Sequence, residues 1–496
     1  MTLVQMLSRA VVKYPDKPTI VSETGSFTYR EFDTVTNRLA NMLIGMGVKP
    51  GVPVAVLMPP TADWLIGYFG ATKDGARVVI LNAMLTPVEL GGLLMDSGAS
   101  IVLTESRFAQ ALSAAAPSGP SFLTHVLPLD AEDFKAKLDQ VPGNAPAVDM
   151  EDTDECSVLY TSGVLGKQKG VVHTHKSLIT VAEVGSELMG LQPEWTVMGF
   201  IPFFHVLGLE TAFAALACGS TLVMAPRFTV KGVLETIQRH RINLVVGVPA
   251  MFNGLSMVPD EMLTAMDVSC LEIALTAGAK SSPTLMAELE RKYGLVVTEI
   301  YGTTECPIIT MGGMKNRKLG TAGQPTLDFK IVDENGVEVP AGTPGQALCR
   351  GPQVMRGYYN APELTAQVLK DDWFYTGDLV VMDEDGYVTY VEKQSFIIVT
   401  SSGVKIPPTE VEDVVLTHPA IAEAAYVGIK QPDGGQLPTL FAVLKEGQEV
   451  SKQDLRSFCS QTVAVYKLPQ RIEFMSELPK IASGKINRRA LQEWAS

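Results

Sequence analysis

Residues 160–172 read Tyr-Thr-Ser-Gly-Val-Leu-Gly-Lys-Gln-Lys-Gly-Val-Val, directly after a strand signal at 157–160. Small hydroxyls, three glycines and two lysines are packed into one turn-prone loop. Such a loop suits phosphate. Glycines let backbone N–H groups approach an anion closely, Thr161 and Ser162 add hydroxyl donors, and Lys167 and Lys169 neutralise polyphosphate charge. It is not a Walker A loop, which has four residues between its glycines and then Lys-Ser/Thr. Here Gly163 and Gly166 are separated by two residues, and Lys167 is followed by Gln168. Taken alone, the stretch is equally a common surface turn.

Outward from this loop, from about 27 to 301, short apolar runs alternate with helical ones. Residues 54–58 and 78–81 read as strands, and 64–73 and 90–95 as helices. Further strand signals fall at 222–225, 244–248, 272–276 and 296–301. This alternation predicts βαβ units, mainly parallel sheets and an α/β fold. The proline- and acid-rich stretch 142–154 reads as a linker leading into the loop's strand. Between 324 and 390 the texture changes to short strands split by turns such as Asp-Glu-Asn-Gly at 333–336, a small β-rich subdomain. After Val391 a new unit is expected, with helices at 409–416 and 452–461 and strands at 421–429 and 440–444. The chain is therefore divided into domains 1–393 and 394–496.

At 496 residues the chain can bury more than one core. A hydrophobic fraction of 46% argues against disorder. The net charge of −14 disfavours nucleic acid and anionic membranes, so local groups must hold any anionic ligand. No apolar run is long enough to span a bilayer, and the ends carry neither a secretory signal nor a peroxisomal address. A cytoplasmic enzyme is expected. Six scattered cysteines with no Cys-x-x-Cys pair exclude a disulfide framework or zinc cluster. His173 and His175 lack Cys or carboxylate partners in sequence and read as strand residues beside a nucleotide site.

Two further segments carry chemistry. Ile300-Tyr-Gly-Thr-Thr-Glu305 follows an apolar strand and offers an aromatic face, two hydroxyls and a carboxylate. These are the parts that stack a purine, bind phosphate oxygens and hold Mg²⁺. Trp373-Phe-Tyr-Thr-Gly-Asp378 sets an aspartate in a glycine turn, able to accept both ribose hydroxyls or, alone, to form an Asx-turn. In so acidic a chain, the basic tail 478–491, with Ser-Gly before Lys485, has to be explained, and a solvated cationic helix is the commoner reading of a lone charge run.

In this order, these segments resemble the adenylate-forming superfamily of acyl-CoA synthetases, non-ribosomal peptide adenylation domains and firefly luciferases. Phe27-Thr-Tyr-Arg-Glu-Phe, 75–82, Pro202-Phe-Phe-His205-Val-Leu-Gly208, Ala277-Gly-Ala-Lys280 and Tyr466-Lys-Leu-Pro469 extend the likeness over nearly the whole chain. The resemblance implies a large N-terminal domain of two α/β/α subdomains plus a β-subdomain, and a small mobile α+β C-terminal lid domain. It also implies an ATP-dependent ligase that forms an acyl-adenylate, releases pyrophosphate and passes the acyl group to a nucleophile. By position, Thr161, Ser162, Gly163, Gly166, Lys167 and Lys169 would cradle the ATP phosphates. Gly278, Ala279 and Tyr301 would flank adenine, Gly302 and Thr303 would also bind the nucleotide, Thr304 would touch the α-phosphate and Glu305 would hold Mg²⁺. Asp378 would hold ribose, and Lys485 would bridge the attacking carboxylate and the α-phosphate.

The acid pocket would lie between His205 as gate, the Ala277-Gly278 turn and 302–308. Val206, Leu209, Val246, Val248, Met251, Pro307 and Ile308 are apolar candidates for its wall. No arginine or lysine is evident there for a second carboxylate, so a monocarboxylic acid with an apolar cyclic, aromatic or medium aliphatic body is expected. Monomer and homodimer stay open.

The chain also departs from the pattern. Val164-Leu165 and Gln168 stand where the family has Ser/Thr-Thr and Pro, so weaker ATP binding or a shifted loop is expected. Lys393 stands for the ribose-contacting arginine without its fork, and 400–404 is one residue longer with Val404 replacing an aromatic. Two acceptors follow: the thiol of CoA, commonest for a stand-alone member, or an amino-acid amine, as in coronafacate-ligase-like amide synthetases.

Overall fold

The computed structural model describes residues 1–495 except 23–24, 115–122, 162–167, 200, 226–227, 394–395, 401–404, 432–435, 462, 464 and 482–484. The chain forms two compact units, Met1–Phe329 with Cys349–Phe374, and Lys330–Leu348 with Tyr375–Ser496.

The larger unit holds two sheets. In the nine-stranded sheet, Pro18–Ser22, Thr221–Met224, Thr196–Gly199, Leu244–Gly247, Ile273–Ala277 and Val296–Tyr301 lie side by side and parallel. Antiparallel strands close it, Gly25–Thr28 at one edge and Thr310–Met311 with Gln324–Pro325 at the other. The seven-stranded sheet runs Gly357–Tyr358, Lys169–Thr174, Glu155–Thr161, Arg77–Ile80, Pro53–Leu57, Ile101–Thr104, His125–Pro128, parallel from the third strand on.

Both sheets are apolar on both faces, as parallel sheets covered by helices must be. Val54 and Val56 join one core while Ala55 and Leu57 join another, the period-two alternation of a strand. The central core combines inner residues of both sheets with helices Tyr29–Gly45, Ala62–Lys73, His175–Met189 and Val206–Cys218. Ala62–Lys73 is buried on nearly every side, the mark of a helix between layers. Its Lys73 is buried too and ion-pairs with Asp33 at 2.6 Å, with Asn37 and Thr36 completing its hydrogen bonds. Helices Val230–His240, Pro249–Ser256 and Pro283–Tyr293 cover the far face of the nine-stranded sheet.

In the smaller unit, the sheet Ile421–Lys430, Gln436–Leu444, Arg471–Met475 has one face under helices Pro408–Leu416 and Lys452–Cys459. Its other face packs against Leu478 and against Leu491 of helix Arg488–Ala495. Val388–Lys393 pairs antiparallel with the end of Trp373–Met382.

The expected strands and helices are present with shifted ends, and 142–154 holds no regular element. One reading needs correction. His173 lies in strand Lys169–Thr174, but His175 opens the helix His175–Met189, because Thr174 caps that helix through Ser177. A hydroxyl at the N-cap ends the strand one residue before His175.

Candidate active site

Four expected segments leave the carboxyl ends of four neighbouring parallel strands. His205 and Val206 follow Thr196–Gly199, Val248 follows Leu244–Gly247, Gly278 and Ala279 follow Ile273–Ala277, and Gly302–Ile308 follows Val296–Tyr301. Ligands of open parallel sheets bind in the crevice outside these carboxyl ends. Sequence order scattered the segments over a hundred residues, and strand order gathers them.

The turns are shaped by glycine. Gly278 has φ +81°, which side-chain-bearing residues rarely adopt. A Cβ on Gly302 would stand 1.8 Å from the Pro307 carbonyl oxygen, so only glycine lets 302–307 fold back on itself. Thr303 N–H donates to Cys306 O at 2.9 Å, and Ile309 N–H to Tyr301 O at 3.0 Å.

Three side-chain contacts fasten these turns, and sequence inspection missed the role of each. His173 Nε2 lies 2.8 Å from Thr304 O, and its Nδ1 lies 3.0 Å from Ser177 Oγ. A carbonyl only accepts, so Nε2 carries the proton. Burial pushes the His173 pKa down to about 4, and the ring is neutral. Glu299 accepts from Ser281 N–H at 3.1 Å, tying the turn after Ala277 to the next strand, and burial pushes its pKa up to about 8. Tyr358 Oη donates to Glu305 Oε1 at 2.7 Å, while Met355 N–H donates to Glu305 O at 2.8 Å. The only sequence signal was a polar residue inside an apolar strand, at His173 and Glu299.

Thr161 and Lys169 are cross-strand partners, so 162–168 joins two antiparallel strands instead of a strand and a helix. The Lys169 ammonium lies 5.0 Å from the Tyr358 ring centre, a cation–π contact. Ser162, Gly163, Gly166 and Lys167, with Val164-Leu165, lie outside the described residues.

Among the wall candidates, Val206, Val248 and Met251 keep partial exposure and Pro307 is buried. Leu209, Val246 and Ile308 are buried in the central core, Ile308 lying beside Gly185. The His205 ring sits 4.8 Å from that of Phe204.

The smaller unit gathers the remaining expected residues. Asp378 and Lys393 are cross-strand partners, joined by an ion pair of 2.7 Å. Thr376 Oγ1 accepts from Asp378 N–H and donates to Ala347 O, fixing the turn. Lys485 lies within the electrostatic reach of both Lys393 and Asp378. Its pKa is lowered, first by desolvation of the ammonium and then by Lys393, with Asp378 opposing, although the residue as a whole reaches solvent. Three residues on, Arg488 makes a two-pronged bond to Glu412, at 2.6 and 2.7 Å, and lies 3.6 Å from Glu392. This buried fork anchors the segment carrying Lys485. Gln394, Ser395, Gly403, Val404 and 482–484 lie outside the described residues. Among the described residues no three His, Cys, Asp or Glu side chains gather as a metal cage, and no helix is long and apolar enough to cross a membrane.

Comparison with known proteins agrees with this geometry. The family model described as AMP-binding enzyme matches residues 7–359, and that described as AMP-binding enzyme C-terminal domain matches 410–485. A long-chain-fatty-acid–CoA ligase of Escherichia coli O6:H1 is 30% identical, over 100% of this chain and 94% of the relative. A feruloyl-CoA synthase of Amycolatopsis sp is 32% identical over 93% and 92%. The crystal structure of the anthranilate CoA ligase AuaEII in complex with anthranoyl-AMP superposes with a TM-score of 0.92 at 27% identity, covering 100% of this chain and 97% of that one.

Proposed function

The chain belongs to the AMP-binding enzyme family, and from that premise we propose how its residues share the work of an AMP-forming acid–CoA ligase. The activity is that of the family: a carboxylic acid is activated with ATP as an acyl-adenylate and then transferred to CoA. In the first half-reaction the carboxylate oxygen attacks the α-phosphorus and the bond to pyrophosphate breaks. In the second, the thiol sulfur attacks the acyl carbon, AMP leaves and the thiol proton is released. A free carboxylate is a poor acyl donor, so positioning and charge neutralisation carry most of the catalysis.

The observation that carries the residue assignment is the convergence of 205–206, 248, 278–279 and 302–308 at the carboxyl ends of neighbouring parallel strands, with Glu305 oriented by Tyr358. Gly278, Ala279 and Tyr301 flank adenine, Gly302 and Thr303 also bind the nucleotide, Thr304 meets the α-phosphate, and Thr161 and Lys169 with the loop between them hold the outer phosphates. Asp378 accepts from the ribose hydroxyls, Lys393 balances its charge, and Lys485 neutralises the carboxylate and α-phosphate as they meet. Glu305 is a single carboxylate held from one side, which fits Mg²⁺, an ion that binds through few carboxylates and substrate phosphates. Bound there, Mg²⁺ would offset phosphate charge.

His205 gates the acid pocket, which takes a monocarboxylic acid with an apolar cyclic, aromatic or medium aliphatic body. Val206, Val248, Ala277, Gly302, Pro307 and Ile308 shape it. The functional division falls at 393/394, with Lys485 on the C-terminal piece. We place the enzyme in the cytoplasm, as a monomer or homodimer.

The test is mass spectrometry of reactions with MgATP, a panel of aromatic, cyclic and aliphatic acids, and either CoA or mixed amino acids. Thioesters confined to the CoA reactions are expected. Amides confined to the amino-acid reactions would overturn the acceptor and turn attention to 400–404.

A further inference from the structure

The helix Val206–Cys218 starts at His205 and contributes to the central core. Leu209, Ala212 and Ala215 are fully buried, whereas Glu210 and Thr211 each keep 6% exposure. Val206 and Leu207, four and three residues before Glu210 on the same face, keep more. The stripe that starts partly exposed at Val206 and Leu207, beside His205, thus becomes buried by Glu210 and Thr211.

Glu210 is out of place in that stripe. Its Oε1 is buried and has no hydrogen-bond partner among the described residues. Burial alone drives its pKa well above the usual carboxylate range, which favours the protonated form. The Cys306 thiol, whose own pKa is raised by burial and then by neighbouring Cys349, also feels the Glu210 and Glu305 carboxyls. Glu210 therefore lies near Cys306 of the 302–308 turn. A buried polar atom without a partner is costly, and a native fold keeps one where something else completes it.

We propose that Glu210 is a specificity-determining residue of the acid pocket, completed by a neutral hydroxyl at the far end of the acyl body. This rests on reading 205–206 and 302–308 as that pocket. A protonated carboxyl both donates and accepts, matching a hydroxyl, which does the same. Glu210 lies five residues past His205, about 7.5 Å along the helix axis, so the hydroxyl belongs several bonds from the reacting carboxylate. The acid is then apolar along its length and polar at its tip. A site with a buried polar group rejects an analogue lacking the partner more strongly than an apolar pocket rejects an added hydroxyl.

The test uses pairs of non-reactive acyl-sulfamoyl adenosines, aromatic and aliphatic, each with and without a terminal hydroxyl. Binding is measured by calorimetry to the full-length protein, E210Q and E210L. Expected is a preference of about tenfold or more for the hydroxylated member in at least one pair. E210Q should keep that preference, because an amide also donates and accepts, and E210L should lose or reverse it. The near-isosteric E210Q keeps the test open should E210L fail to fold. Equal ratios in all three proteins would overturn the proposal and leave Glu210 a core residue. Preference for a terminal amine that grows as pH rises would overturn it too, marking a carboxylate site. If no analogue binds any of the three, the pocket reading has failed, an outcome distinct from equal binding.

Discussion

The two candidate site regions are each fastened internally, by opposite means. At the carboxyl ends of the larger unit's parallel strands, the turns are fastened by uncharged buried contacts, His173 to Thr304 and Glu299 to Ser281, with Tyr358 orienting the Glu305 carboxylate. In the smaller unit the contacts are ionic: Asp378 with Lys393, and Arg488 with Glu412 and Glu392. Neutral contacts suit a surface proposed to take a ligand that brings its own charge. Ionic contacts anchor the segment with Lys485, proposed to supply charge.

The comparison breaks first at Lys485. K485A should slow adenylate formation, read as pyrophosphate release, by about 10³-fold or more, while transfer to CoA from a supplied acyl-adenylate stays within a few-fold. Adenylation within tenfold of the parent enzyme would sink the assignment. Arg488→Met tests the ionic side through stability. Leaving Glu412 buried without its fork should cost about 3–5 kcal/mol in denaturant unfolding, and a loss under 1 kcal/mol would mean the network is dispensable.

His173 tests the neutral side through pH. Its folded pKa, near 4, lies below the ordinary 6.5, so between those values the unfolded chain binds more protons. Its contribution is complete above pH 6.5 and is lost as pH falls toward 4, up to about 3 kcal/mol at 1.36 kcal/mol per unit. His173→Gln keeps a donor for Thr304 without titrating, so its stability should fall less than the parent's from pH 7 to pH 5. Parallel curves would show that His173 does not titrate on unfolding. Smallest is Tyr358→Phe, which removes one charge-assisted hydrogen bond from Glu305. Apparent Mg²⁺ affinity should drop about tenfold, seen both in Mg²⁺ dependence and in Mn²⁺ binding by electron paramagnetic resonance, with the melting point little changed.

Much of this was legible in the chain. Apolar runs at 244–248, 272–276 and 296–301 mark strands because parallel strands are buried on both faces, and Gly302 signals its close backbone approach. That double burial also hid something. With both faces apolar, sequence alone does not tell exposed from buried wall candidates: Val206 and Val248 keep partial exposure, whereas Leu209, Val246 and Ile308 are buried. His175 was misread because a strand and the capped helix after it share one short polar run.

Sequence by itself determined the α/β class and the family, and it picked out the loops proposed for phosphate, adenine and metal, because strand periodicity and glycine turns are local properties. Tertiary structure alone decided which side chains hold those loops. His173 reaches Thr304 across 131 residues, Tyr358 reaches Glu305 across 53, and Arg488 reaches Glu412 across 76. A hydrogen bond depends on distance in space, which sheet order sets and sequence separation does not record.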